Sequence, residues 1–214
     1  MFMLRKPDAD DIHRYVSAQQ SEPFSYADVG LSREDKHPRG FDVARHSIEL
    51  GVGQTTFNRA REAVRSWAMF PREMASLYWP SIEPAVGKEV VVGFRAGPLW
   101  SLNPCRVIYT VDSDSDVESK YGFAYGTLPG HVEKGEERFQ VVWDRTTDIA
   151  RYEIFVFSAA QHVLAKIGYP FVLFQQKRFR KLSGLAMQQA VTAAEAPTAV
   201  DSARAKEKKQ VVRV

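Results

Sequence analysis

The densest group of reactive side chains in this 214-residue chain follows a Pro129-Gly130 turn, where His131, Glu133, Glu136 and Glu137 stand close together. An imidazole with its ordinary pKa near neutrality can take or give a proton at physiological pH. Glu133 or Glu136 could orient it or hold the polar group of a ligand. His131, Glu133 and Glu136 are therefore the candidate catalytic residues. The plainer alternative is that the carboxylates satisfy turn amides and an arginine such as Arg106. A second set is mostly aromatic. Tyr109, Tyr121, Phe123, Tyr125, Thr127, Phe139 and Trp143 fall at alternate positions of extended segments. They are expected to line an apolar pocket, although any one of them serves equally well as core. Arg106 and Tyr109 lie on opposite faces of one strand, so both reach the same cavity only if a bulge intervenes. Tyr109 is the expected liner.

Several familiar signatures fail on their spacing. His131-x-Glu133 has the form used by zinc deaminases, but Cys105 is alone and upstream, with no later Pro-Cys-x-x-Cys. The five histidines show no His-Glu-x-x-His pattern. Asp112-x-Asp114-x-Asp116 imitates a calcium loop, but Val117 and Phe123 occupy the positions that need Gly and Glu, so a hairpin turn is expected. Gly51-Val52-Gly53 is followed by Thr56 where a dinucleotide fingerprint has its third glycine. No metal and no cofactor is expected. Lys177-Arg178-Phe179-Arg180-Lys181 could meet phosphates, nucleic acid or an acidic partner, but it reads first as a solvated helix face with Phe179 turned inward.

Composition sets the frame for these groups. Lys and Arg number 29 against 26 Asp and Glu, a mild +3, so nucleic acid is not an expected partner. Hydrophobic residues make up 44%, enough for one core. A single cysteine rules out an intramolecular disulfide and suits a reducing compartment. No apolar run reaches the roughly 20 residues of a membrane span, and Met1 to Asp8 does not resemble a signal peptide. The expectation is a cytoplasmic protein with no membrane insertion.

The elements that must position the candidates follow from periodicity. Residues 1–22 read as an N-terminal extension with a short helical pattern, residues 23–190 as one domain, and residues 191–214 as a disordered basic tail. Within the domain, a loop from Phe24 to Gly40 leads to a strand over Phe41–Leu50. A helix capped by Thr55 or Thr56 carries Phe57, Ala60, Val64 and Trp67 on one face and stops at Pro71. A second short helix is expected over Glu73–Trp79. Alternation then predicts about five strands between Glu89 and Phe157, with Asn103-Pro104 as turn punctuation. Ser158-Ala159-Ala160-Gln161 has the form of a capping box for a last helix. That helix has its apolar positions at Leu164, Phe171, Phe174, Leu182, Leu185 and Ala186, and a kink or break at Pro170. The fold class is α+β, with a curved antiparallel sheet wrapped around a long C-terminal helix and two short helices after the first strand.

Specific motifs agree with this order. Phe24-x-Tyr26-x-x-Val29-Gly30, Gly51-x-Gly53-x-x-x-Phe57 and Leu102-Asn103-Pro104-Cys105-Arg106 lead to Tyr125-Gly126-Thr127-Leu128-Pro129-Gly130-His131-Val132-Glu133-x-Gly135-Glu136-Glu137. From about Phe24 to Met187 the chain resembles uncharacterised protein family 0548, also called DUF1990. The resemblance implies a helix-grip fold similar to the Bet v 1-like and START-like superfamily of plant allergens and lipid-binding proteins, and brings no established activity. The expected function is binding of a small hydrophobic molecule in a cavity between the sheet and the C-terminal helix. The alternative is an enzyme, a hydrolase, cyclase or lyase, using the His and Glu cluster at the same pocket. A third possibility is an interaction module working through the basic helix and tail.

Overall fold

A computed structural model describes residues 2–78, 83–96, 99–161 and 168–193. The elements are β1 (Phe2–Met3), α1 (Ala9–Gln19), a 3-10 turn (Leu31–Glu34), β2 (Asp42–Val52), α2 (Gly53–Arg65), β3 (Ala75–Tyr78), β4 (Glu89–Ala96), β5 (Leu99–Asp114), β6 (Glu118–Thr127), β7 (Glu133–Asp144), β8 (Ile149–Ala160) and α3 (Tyr169–Ala193). The strands form one sheet in the order β2-β8-β7-β6-β5-β4-β3, with β1 added beside β5. Every pairing is antiparallel. The fold is α+β, a curved sheet around a C-terminal helix.

Alternation sorts the side chains between two layers. On β6, Phe123 and Tyr125 face the helices and join Phe57, Val64, Phe70, Phe139, Tyr152, Phe179 and Met187 in the core. Gly122, Ala124 and Gly126 face the other side. A Cβ on Gly126 would collide with the hydroxyl of Tyr26, so this side stays flat where the 24–35 segment packs. Register shifts at Glu49/Gly51 and at Val107/Tyr109 bend the sheet.

The second shift settles the question raised by Arg106 and Tyr109. Val107 pairs with Tyr125 and Tyr109 with Ala124, so Ile108 is the extra residue. The bulge puts Arg106 and Tyr109 on the same face, but that face is the outer one. Arg106 pairs there with Glu89 at 2.7 Å and donates to the carbonyls of Gln19, Gln20 and Glu22. The N-terminal residues are built in by the same contacts. The Tyr15 hydroxyl donates to the Gly130 carbonyl at 2.7 Å, and Phe2 pairs with Ser101.

Five local expectations are corrected. First, α2 begins at Gly53 with Val52 as its cap, and the Thr56 hydroxyl instead donates to the Val52 carbonyl at 2.7 Å. The helix ends at Arg65 with Ser66 as its C-cap, ahead of Pro71, and Trp67 takes a left-handed φ of 59° that lays its ring 4.5 Å from that of Phe123. Second, no helix forms over 73–78, because Ala75–Tyr78 pairs with Phe94–Val91 and fills the open edge of β4. Sheet pairing there overrides a weak local preference. Third, Asn103-Pro104 lies inside β5. β6 ends at Thr127, and the Pro104 carbonyl still accepts the Leu128 N–H at 3.0 Å, so the missing proline donor is tolerated. Fourth, Ser158–Ala160 continues β8 rather than capping a helix. Fifth, Pro170 falls in the first turn of α3, where an N–H has no helical partner, and so neither kinks nor breaks it. The inward stripe of α3 is Phe179, Ser183, Gly184, Met187 and Val191, while Phe171, Phe174 and Leu185 are exposed. Leu164 and the tail from 194 lie outside the described residues.

Candidate functional site

Between the N-terminal half of α3 and the strands beneath it lies a cavity of about 260 Å³. Its apolar wall comes from Met74, Val92, Phe94, Leu99 and Phe179, with Phe2 added by β1. A polar end is set by β7 and α3. Alternation from Phe139 back along β7 puts Glu137, Gly135 and Glu133 on the cavity side. Gly135 has φ 146°, and a Cβ there would overlap the Phe157 carbonyl, so only glycine lets β7 run this close to β8. On α3, residues one turn apart share a side, and Gln176 and Arg180 border the cavity together with Phe179.

The polar groups are bonded to one another in part. The Tyr125 hydroxyl donates to Glu137 Oε2 at 2.7 Å. Burial pushes the Glu137 carboxyl up to about 7, against the stabilising pull of that hydrogen bond and of Arg180. Glu133 Oε1 accepts from Gln176 Nε2 at 2.6 Å and from the Ser158 hydroxyl at 3.3 Å. Burial raises its pKa too. The Arg180 guanidinium is lowered by burial although Glu137 and Glu133 attract it. These side chains keep some accessible surface, and they line the cavity.

His131 is set differently. Its Nδ1 accepts the Glu133 N–H at 2.9 Å, and burial pulls its pKa down to about 3. The hydrogen-bond pattern assigns the remaining proton to Nε2. With Nδ1 occupied and Nε2 protonated, the ring is a neutral hydrogen-bond donor at pH 7 rather than a base.

The other predicted residues disperse. The Glu136 side chain points to the outer face, where its carboxylate accepts from the Gly30 N–H at 2.5 Å, the Ser32 N–H at 3.0 Å and the Tyr26 hydroxyl at 3.0 Å. Tyr109 is on that face as well, with its hydroxyl 2.8 Å from that of Ser32. Tyr121 borders a separate, open depression with Arg61 and Asp112. Phe123 and Phe139 are wholly buried core. Trp143 stacks on Phe57, and its Nε1 donates to Asp148 at 3.0 Å. Tyr125 and Thr127 line the cavity, as do His131 and Glu133. Glu137, Gln176 and Arg180 were not among the predicted site residues. Counting by twos from Phe139 singles out Glu137, and counting one helical turn from an inward Phe179 finds the other two. Among the described residues, no three His, Cys, Asp or Glu side chains gather as metal ligands.

Residues 25–186 match a family model described as "Domain of unknown function (DUF1990)". The chain is similar to a "UPF0548 protein" of Dictyostelium discoideum, 33% identical over 195 residues, covering 84% of this chain and 90% of that protein. It is also 31% identical over 188 residues to a "UPF0548 protein" of Deinococcus radiodurans, covering 83% and 92%. Among solved structures, TTHA0849 from Thermus thermophilus overlaps with a TM-score of 0.45 at 12% identity, covering 72% of this chain and 100% of that one. Ara h 8.0201 overlaps with a TM-score of 0.44 at 10% identity, covering 72% and 99%. Overlap of that degree leaves the ligand and the chemistry to be argued from this chain's own residues.

Proposed function

This chain belongs to the DUF1990 family, and from that premise we propose that it binds a small, largely apolar molecule between the sheet and α3. Glu137 and Arg180 meet the polar group of that molecule, and His131 Nε2–H supplies a further donor. The observation that carries this reading is the apolar cavity of about 260 Å³ with a half-buried carboxyl and a half-buried guanidinium at one end. An engineered cavity of ~150 Å³ holds benzene, so this larger one, which opens to the surface at one side, has room for a fused-ring aromatic group whose remainder lies in the mouth. Apolar walls with a few convergent polar groups are the common form of a small-molecule site.

The test is a fluorescence titration with 1-anilinonaphthalene-8-sulfonate, comparing the wild type with Ser101→Trp. Ser101 lines the cavity, and an indole there fills it. Saturable binding at one site, weakened about tenfold or more by the substitution, supports the reading. Equal affinity in both proteins overturns it.

A second reading, an enzyme acting in the same cavity, draws on Glu137 alone. A carboxyl held near pH 7 can exchange a proton with a bound molecule under physiological conditions. Small molecules released from wild type and from Glu137→Gln, purified from the same host and compared by mass, separate the readings. Identical masses favour binding alone, and a different product from the wild type favours chemistry.

A further inference from the structure

The outward face of α3 is the feature that the cavity leaves unexplained. Phe171 is 54% exposed and Phe174 is 61% exposed, and Leu173 and Leu185 are exposed as well. At helical spacing, Phe171, Phe174, Arg178, Lys181 and Leu185 share one side, with Lys177 at its margin. Lys177, Arg178 and Lys181 are all exposed. The helix contains no Asp or Glu. The sequence suggested an inward run of aromatics here, and the fold instead turns two phenylalanines outward and puts cations beside them.

We propose that this face docks on an anionic lipid surface, with Phe171 and Phe174 entering the headgroup boundary and Lys177, Arg178 and Lys181 meeting lipid phosphates. Exposed aromatic and aliphatic side chains have no favourable place in water, whereas an interface takes up both them and the cations next to them. Charge complementarity is one-sided, since the helix has cations and no acid. A nucleic acid would use the cations and stack on the rings, but it gains nothing from the exposed Leu185 on the same side. Position adds a second argument. Phe171, Val172 and Gln175 border the cavity, so the docked face adjoins its mouth. A molecule leaving the bilayer would meet the opening there. Docking of this kind is peripheral, and no helix among the described residues is long and apolar enough to cross a membrane.

The experiment is co-sedimentation of the full-length chain with large unilamellar vesicles, either phosphatidylcholine alone or phosphatidylcholine with one quarter phosphatidylglycerol. Two variants are compared with the wild type, Phe174→Ser and the triple Lys177→Glu/Arg178→Glu/Lys181→Glu. None of these side chains borders the cavity, and the last 21 residues are kept in every variant. The wild type is expected to pellet with the anionic vesicles only and to be released by salt. The triple reversal weakens binding on the order of 100-fold, from about fivefold for each cation, and Phe174→Ser weakens it severalfold. Both variants still bind 1-anilinonaphthalene-8-sulfonate in the cavity, so loss of docking is distinguishable from loss of the pocket. The proposal is overturned if the wild type ignores anionic vesicles or if the variants pellet like the wild type. It is equally overturned if the reversal abolishes salt-sensitive retention on single-stranded RNA while vesicle binding stays intact.

Discussion

Glu136→Ala separates a carboxylate that serves the fold from one that serves the site. The Glu136 side chain is 2% exposed and takes three hydrogen bonds from the 24–35 segment, two of them from backbone N–H groups. Hydrogen bonds to a charged group contribute about 1.5–3 kcal/mol each, and a donor left buried without a partner costs about 1–3 kcal/mol. Water can reach part of the Gly30 side of the clamp, so the sum is discounted to about 3–5 kcal/mol. Glu136→Gln keeps one acceptor oxygen and should lose roughly half of that. Urea-induced unfolding followed by tryptophan fluorescence measures the loss, and amide exchange at Gly30 and Ser32 reports it locally. Affinity for 1-anilinonaphthalene-8-sulfonate stays within about twofold in Glu136→Gln, because the carboxylate does not face the cavity. A loss below about 1 kcal/mol for the alanine variant, with unchanged exchange at Gly30 and Ser32, would falsify the clamp.

Other outcomes follow from the same structure. Glu137 has its pKa raised from 4.5 to about 7, so folding takes up a proton there between those values. Relative to Glu137→Gln, the wild type should lose stability as pH rises from 4.5 to 7, on the order of 3 kcal/mol, and then level off, as pH-dependent unfolding would show. His131 behaves in the opposite sense. Its pKa falls from 6.5 to about 3, so its contribution is intact above 6.5 and is lost as pH drops toward 3. Imidazole NMR at pH 5 should find it neutral with the proton on Nε2, and a ring titrating near 6 would contradict the burial. Gly135→Ala forces a methyl into the Phe157 carbonyl and should lower Tm by about 10 °C in a thermal melt.

Legibility in the sequence tracked the strength of the local pattern. Alternation from Tyr121 to Thr127 and from Phe139 to Trp143 is enforced on two adjacent strands, and it revealed those strands and their faces. The Ile108 bulge has no local signature, so the side on which Tyr109 ends up could not be read from spacing. β3 owes its extended shape to the edge of β4, which is a tertiary cause. Ser158-Ala159-Ala160-Gln161 satisfies a capping pattern, yet Glu133–Gly135 offers these residues a strand partner, and pairing prevails. In the site, the acidic cluster was visible but its two faces were not separated. Glu136 and Glu137 are neighbours in sequence and lie on opposite sides of the sheet, one clamped by backbone amides and the other facing the cavity. The polar contribution of α3 was missed because Phe171 and Phe174 suggested a stripe that the fold rotates outward.

The claim on which the rest depends is that the space between the sheet and α3 receives a small molecule. Amide and methyl chemical-shift mapping of the wild type, titrated to saturation with 1-anilinonaphthalene-8-sulfonate, tests it most directly. The account predicts that the largest shifts fall on Val92, Tyr125, Thr127 and Phe179, from both walls of the cavity. Shifts confined to the Tyr121 and Arg61 depression, or no saturable shifts at those four residues, would contradict it.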